Sequence, residues 1–271
     1  MKPELGRSLP KELGRVHCIG IAGSGMSGIA RVLKEKGLEV SGSDRSDSEV
    51  ADSLREAGIT VFIGHDASHL EGADTVVVSS AVRDNNPELM HARANGLVVL
   101  HRSEALRWIM QGKKILAVAG SHGKTTSTAM LASALYRDGR DIGAVNGGVI
   151  SEWGVSSRWG SDEVFVIEAD ESDRSFLGYD PAVVMITNVA PDHLDFYGDM
   201  DSIYEAFEGF ARNATQAIVL CADDEGTTHL ARRLDGAAPV LTYGIAPTAD
   251  FRLENIDLGA HARFELTYRE Q

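Results

Sequence analysis

Residues 115–135 read ILAVAGSHGKTTSTAMLASAL, and the order of residue types in this stretch decides the fold. Ile115 to Ala119 is a short apolar run of strand formers, Gly120-Ser121-His122-Gly123 is a turn, and Lys124 onward has the Ala, Met and Leu content of a helix. The stretch predicts a strand, a glycine loop and a helix. Glycines let the backbone approach phosphate oxygens closely, while loop amides and the helix N-terminus supply donors and partial positive charge. Lys124 adds a full charge for the β and γ phosphates, and the Thr125 hydroxyl suits a Mg²⁺ ion. Gly120, Ser121, His122, Gly123, Lys124, Thr125 and Thr126 are thus the candidate residues of a nucleoside triphosphate site. The common loop is G-x-x-x-x-G-K-[ST], and Val118 stands at its first glycine, so only Gly-x-x-Gly-Lys-Thr is present. The competing reading is an ordinary helix start with a solvated lysine.

A second turn of the same design lies upstream. Val16 to Ile21 is apolar, Ala22 to Gly28 reads AGSGMSG, and Ile29 to Lys36 continues as a helix that stops at Gly37. Gly23-x-Gly25-x-x-Gly28 fits the dinucleotide fingerprint, with Asp44 at the end of the next strand, Glu39 to Ser43, in place of the ribose-binding acid. The fingerprint reports a pyrophosphate on a helix N-terminus, so NAD and other diphosphates both remain open.

Strands and helices keep alternating. Asp47 or Ser48 caps a helix to Ala57, Thr60 to Ile63 and Thr75 to Ser79 are strands, Pro87 opens a helix, Val98 to Leu100 is a strand and Ser103 to Met110 is helical. Regular alternation predicts an α/β fold with a parallel sheet covered by helices. The polar break Gln111-Gly112-Lys113-Lys114 places a boundary between a Rossmann-like domain, 1–110, and a P-loop-type α/β domain, 111–271. In the second, Val145-Asn146-Gly147-Gly148 reads as a flexible turn before an irregular stretch with Trp153, Arg158 and Trp159. The strand Val164 to Ile167 ends at Glu168-Ala169-Asp170-Glu171-Ser172-Asp173, and Val183 to Ile186 is followed by Thr187-Asn188 and Pro191-Asp192-His193-Leu194-Asp195. Ligands of open parallel sheets bind off the carboxyl ends of strands, where all these motifs fall. Mg²⁺ takes a few hard oxygens, so Glu168 opposite Thr125 is the first choice of ligand, with Asp170, Glu171 and Asp173 read as solvent-facing loop caps. His193 is read either as a hydrogen-bonded loop histidine or as a ligand. Past Ser202 follow a helix to about Ala211, a strand Ala217 to Cys221, a helix Thr227 to Arg233, a strand Val240 to Tyr243 and β segments near Phe251 to Leu253 and Ala262 to Tyr268, with Arg269-Glu270-Gln271 interrupting a hairpin.

Composition bounds the rest. The 271 residues are 43% hydrophobic, enough for a packed core, and the net charge of −14 argues against a nucleic-acid surface. Cys18 and Cys221 lie in apolar strand-like runs, the first fifteen residues hold no apolar signal segment, and no run approaches the ~18 apolar residues of a membrane span. These features predict a cytoplasmic protein with reduced thiols.

The strings HCIGIAGSGMSGIA (17–30), SGSD (41–44), AGSHGKTT (119–126), EADESDRSFL (168–177) and ITNVAPDHLDFYG (186–198) resemble the Mur ligase family, and within it the alanine-adding branch. The family's first two domains cover essentially the whole chain. The resemblance implies that the first domain holds the UDP of UDP-N-acetylmuramate through Gly23, Ser24, Gly25, Met26, Ser27 and Asp44, rather than NAD. Asn146, Gly147, Gly148 and Arg158 fall where the family contacts the muramoyl part. The central domain is implied to hold ATP and Mg²⁺. There the lactyl carboxylate attacks the γ-phosphate, and the resulting acyl phosphate is attacked by the amine of L-alanine. By the same resemblance Lys124 stabilises the γ-phosphate, Thr125 and Glu168 hold one Mg²⁺, and His193 helps hold a second ion; these three residues are the catalytic candidates. The chain departs from the family where Ser156-Ser157-Arg158 stands for Asn-Ala-Arg. It has no lysine from Ser202 to Ala211, where sibling ligases carry a carbamylated one, and Glu208 is the expected stand-in. A third, C-terminal domain that binds the amino acid is expected beyond Gln271.

Overall fold

Short runs of β-branched and aliphatic residues, each closed by glycine, proline or a polar cap, set the strands. The structure is a computed structural model that describes residues 6–259 and 261–268. The chain divides into two units. One takes the chain up to Lys113 together with Ala129–Val166; the other takes Lys114–Thr128 together with the chain from Ile167 onward.

In the first unit, β1 (Val16–Ile19), α1 (Ser24–Glu35), β2 (Val40–Asp44), α2 (Glu49–Glu56), β3 (Thr60–Ile63), β4 (Thr75–Val78), α3 (Pro87–Ala94), β5 (Val98–His101) and α4 (Arg102–Ile109) follow one another. The sheet is parallel in the order β3-β2-β1-β4-β5. Its centre is dry, with Cys18, Val76, Val77, Val78 and Leu100 fully buried. Ser48 caps α2 by accepting from Ala51 N at 3.2 Å, as the sequence predicts. α1 begins at Ser24, earlier than expected, so the glycine turn is only Gly20 to Gly23 and the rest of AGSGMSG is helix.

The chain then passes through β6 (Lys114–Ala119) and α5 (Lys124–Arg137) to β7 (Gly143–Ile150), β8 (Val155–Arg158) and β9 (Val164–Glu168). β7 and β8 form an antiparallel pair on which α1 packs. Gly28 makes this approach possible: a Cβ there would lie 3.4 Å from Ser157 and Val145, and Ser157 Oγ donates to Gly28 O at 3.1 Å. The 129–166 segment thereby groups with the first unit, although the sequence read it with the second. Val145-Asn146-Gly147-Gly148 is not a turn but the middle of β7. Val145 and Asn146 are buried, and the register shifts between Val145 and Ile150, so the glycines bend a strand rather than reverse it.

In the second unit, β6 pairs in parallel with β10 (Val183–Ile186). A short α6 (Leu194–Tyr197) and the longer α7 (Met200–Arg212) lead to β11 (Ala217–Cys221), α8 (Glu225–Ala231), β12 (Val240–Gly244), β13 (Phe251–Asp257) and β14 (Arg263–Tyr268). The order outward from β6 is β10, β11, β12, β13, β14, with only the last pair antiparallel. α7 is capped by Asp199 and buries Ile203, Phe207 and Phe210, and Phe176 packs on both rings at 5.7 and 4.6 Å. The hairpin break expected at Arg269-Glu270-Gln271 lies outside the described residues. Among the described residues no helix is long and apolar enough to cross a membrane.

Candidate functional site

The glycine loop between β6 and α5 is held open by the residues that follow β10. Gly120 has φ 136°, and a Cβ on it would collide with Thr187 Oγ1, so the backbone turn there requires glycine. Thr187 Oγ1 and Asn188 Nδ2 donate to His122 O at 2.6 and 2.8 Å, and His122 N donates to Asn188 Oδ1 at 3.0 Å. Ser121 N donates to Asn188 O at 3.1 Å, and Ser121 Oγ bridges Ala190 O and N at 3.0 and 2.9 Å. Ser121 is therefore a buried brace, whereas His122, Gly123 and Thr126 face solvent. The sequence names Thr187 and Asn188 only as strand-end residues; nothing in their spacing reports that they hold the loop.

Lys124 and Thr125 open α5, and each meets a carboxylate. Thr125 Oγ1 donates to Glu168 Oε1 at 2.8 Å, the pairing expected from the sequence. The end of β9 lies beside β6, where Ala169 N donates to Val118 O at 2.8 Å, which carries Glu168 to the loop. Lys124 Nζ donates to Gly120 O at 2.7 Å, Ser121 O at 3.2 Å and Glu171 Oε1 at 2.9 Å. Glu171 is not the solvent-facing cap the sequence suggested. It is 2% exposed, its Oε2 has no hydrogen-bond partner, and burial pushes its carboxyl above the ordinary range against the pull of Lys124. Asp170 and Asp173 do cap locally, accepting from Ser172 N and Ser175 N at 3.0 Å.

His193 falls with Glu171 and Asp192: each offers one ligand atom, and the three atoms lie within 4.8 Å of one another. His193 holds φ 51° at the start of α6, a left-handed conformation that is uncommon outside glycine and marks a position fixed by its surroundings. Glu208 takes no part. Its two oxygens accept from Arg212 Nε at 3.0 Å and Arg233 Nε at 2.8 Å, so the carboxylate expected to stand in for a modified lysine is already paired.

The first unit carries a cavity of about 730 Å³ at the carboxyl ends of β1, β2, β3 and β4, lined among others by Gly23, Asp44, Arg45, His65 and Arg83. Asp44 Oδ2 accepts from Ala22 N at 2.9 Å, tying the strand end to the glycine turn. Ser24, Gly25 and Ser27 lie on the first turn of α1, with Arg102 Nη1 so close over Gly25 that a Cβ there would stand 2.6 Å from it. Met26 turns into the core instead, at 2% exposure, leaving only its backbone toward the turn. Of the muramoyl candidates, Gly147 and Gly148 lie in β7. Asn146 is buried, with Nδ2 donating to Gly148 O at 2.9 Å and Oδ1 without a partner. Arg158 pairs with Asp141 at 2.5 Å and lies over the rings of Tyr136 and Trp153, which meet edge to face. The cations Arg45, Arg83 and Arg102, and His65, escaped the sequence reading because no motif spacing marks them.

A family model described as "Mur ligase family, catalytic domain" matches residues 15–114, and one described as "Mur ligase middle domain" matches residues 118–269. The UDP-N-acetylmuramate--L-alanine ligase of Clavibacter sepedonicus is 50% identical over 266 residues, 98% of this chain and 56% of that protein. That of Bradyrhizobium sp. (strain ORS 278) is 42% identical, over 97% of this chain and 57% of its own length. The chain spans about half the length of the curated relatives it matches. Among solved structures, the UDP-N-acetylmuramate-alanine ligase of Thermotoga maritima matches with a TM-score of 0.80 at 33% identity, covering 90% of this chain and 55% of that one. The UDP-N-acetylmuramate:L-alanyl-gamma-D-glutamyl-meso-diaminopimelate ligase of Neisseria meningitides matches with a TM-score of 0.83 at 28% identity, covering 95% and 85%.

Proposed function

Because this chain belongs to the Mur ligase family, we propose that it binds UDP-N-acetylmuramate in its first unit and Mg·ATP in its second, for the ATP-dependent joining of L-alanine to the sugar nucleotide. The observation that carries the proposal is the braced loop at Gly120 to Gly123, followed by a lysine and a threonine that each meet a carboxylate. The 42–50% identity to L-alanine ligases supports alanine over a preformed peptide as the partner amine; among the solved structures the margin is narrow, 33% for the L-alanine ligase against 28% for the peptide ligase. The sugar-nucleotide domain is taken as 1–110 and the ATP domain as 111–271, the 129–166 segment that packs with the first unit being counted with the ATP domain. Function in the cytoplasm fits this reading.

The residues fit a divalent ion. The Thr125 hydroxyl and the Glu168 carboxylate are hard oxygen donors already drawn together, and Glu171, Asp192 and His193 form a second donor set with one carboxylate oxygen unpartnered. Magnesium, when bound, neutralises phosphate charge. Lys124 holds its ammonium at the mouth of the loop, where it meets the γ-phosphate as negative charge shifts during transfer. The loop amides and the start of α5 orient the triphosphate, and Thr187 and Asn188 keep the loop from collapsing. In the first unit the turn at Gly23, with the start of α1, receives the diphosphate, and Asp44 receives the ribose.

Calorimetric titration with UDP-N-acetylmuramate, with NAD as control and Mg·ATP separately, tests the reading. Binding of the sugar nucleotide and not of NAD is the expected result. Binding of NAD in its place overturns it.

A further inference from the structure

Glu88 sits in the first turn of α3, beneath the cavity of the first unit, and is fully buried. Three imidazoles surround its carboxylate. Oε1 accepts from His69 Nδ1 at 2.8 Å and lies 3.5 Å from His17 Nε2, while Oε2 lies 2.9 Å from His65 Nδ1 and accepts from Ser43 Oγ at 2.6 Å. Burial opposes the charge, but the partners His17, Ser43 and His69 outweigh it and hold Glu88 ionised, its carboxyl lowered to about 2. An ionised carboxylate only accepts hydrogen bonds, so the Nδ1 that faces it on His65 carries the proton.

The three rings are not equivalent. His17 is fully buried, and His69 stacks on Phe62 at 4.3 Å with its side chain 16% exposed, whereas His65 is 26% exposed and lines the cavity. Among the described residues no hydrogen bond engages its Nε2. The place of His65 in the sheet tells which part of a nucleotide it meets. Gly23 follows β1 and opens α1, where a diphosphate sits; Asp44 ends the neighbouring β2; His65 follows β3, one strand further out, and Gly64 N donates to Asp44 O at 2.8 Å. Moving outward from the phosphate end, His65 stands at the nucleoside.

Resting on the sugar-nucleotide reading of this cavity, we propose that His65 is a nucleoside-selecting residue. Glu88 fixes its proton on Nδ1, so that Nε2 accepts a hydrogen bond from an N–H or O–H donor of the nucleoside. Uracil offers such a donor at N3, where cytosine has a lone pair; the ribose 2′-hydroxyl is the other source. Glu88 never touches the nucleotide and acts as a positioning residue.

The test is calorimetric titration of the chain and its variants with UDP, CDP and 2′-deoxy-UDP. His65→Asn keeps an amide near the Nδ1 position but leaves nothing at Nε2, so UDP affinity falls about tenfold, the worth of one hydrogen bond. The loss appears as weaker discrimination against CDP if N3 is the partner, or against 2′-deoxy-UDP if the ribose is. His65→Gln, whose amide reaches the Nε2 position, restores part of it. Glu88→Gln frees the imidazole proton to move to Nε2 and loses the same discrimination; full discrimination in this variant, with its fold intact by circular dichroism, overturns the positioning role. UDP binding by the unaltered chain with both discriminations unchanged in His65→Asn overturns the proposal alone. Failure of the unaltered chain to bind UDP overturns the sugar-nucleotide reading, and this proposal with it.

Discussion

The ammonium of Lys124 is 15% exposed and its partner carboxylate on Glu171 only 3%. A solvated lysine at a helix start, the competing reading of Lys124, could be removed at little cost to the fold; the buried pair makes its removal costly. Removing one member of a buried ion pair strands the other charge at roughly 3 kcal/mol or more. Lys124→Ala is therefore expected to lower unfolding stability by about 3 kcal/mol as well as abolish triphosphate binding. Adding Glu171→Gln to it should recover most of the stability and none of the binding, measured by urea unfolding and calorimetry; strictly additive stability losses would show that the two groups do not depend on each other. Glu168→Gln, which leaves that pair alone, is expected to make nucleotide binding less dependent on Mg²⁺. Unchanged metal dependence would move the ligand role to Glu171, Asp192 or another acid.

At the scale of elements, the phosphate loop shows how position rather than residue type decides a glycine's worth. Gly120 and Gly123 both have positive φ, at 136° and 79°, but only Gly120 faces Thr187 Oγ1 and the backbone of Asn188, while nothing lies within 4 Å of a Cβ at Gly123. Gly123→Ala is expected to cost about 1 kcal/mol, the strain of a left-handed residue, and Gly120→Ala at least about 2 kcal/mol together with triphosphate binding. Equal thermal shifts in the two variants would mean that Thr187 and Asn188 do not brace the loop. The loop's existence was legible because strand, glycine turn and helix are local patterns. So were the strands Thr60–Ile63, Val183–Ile186 and Ala217–Cys221, apolar runs bounded by turn residues. The strand through Val145-Asn146-Gly147-Gly148 was not, because two adjacent glycines read as a turn and only the facing β8 and the packing of α1 make them strand. Glu171 and the Glu88 cluster were illegible for the same reason: burial is contributed by residues far along the chain, and an acid's neighbours in sequence do not report it.

Across the whole molecule, the buried acids Glu88 and Glu171 respond to pH with opposite signs. Glu88, in the first unit, is lowered from 4.5 to about 2, so its contribution is complete above about 4.5 and is lost as pH falls toward 2. Asp141 adds in the same direction, lowered to about 2 chiefly by the Ser161 amide, although its half-exposed side chain is screened by solvent. Glu171, in the second unit, is raised by burial, so its protonation on acidification favours the fold and its contribution is lost as pH rises. Asp199 and Glu208 of the second unit are also held low, the first by Ser202 and the second, against its burial, by Arg212 and Arg233, but neither as far as Glu88, so acid is expected to unfold the first unit before the second. The tryptophans distinguish the two directly: Trp108, Trp153 and Trp159 all lie in the first unit. Between pH 4.5 and 2 the fluorescence transition should precede the far-ultraviolet circular dichroism transition, which reports both units. Glu88→Gln lacks the titrating group, so its fluorescence midpoint should shift less with pH across that window. Coincident transitions at every pH would show instead that the two units unfold as one cooperative body, with the Glu88 cluster setting the acid stability of the entire chain.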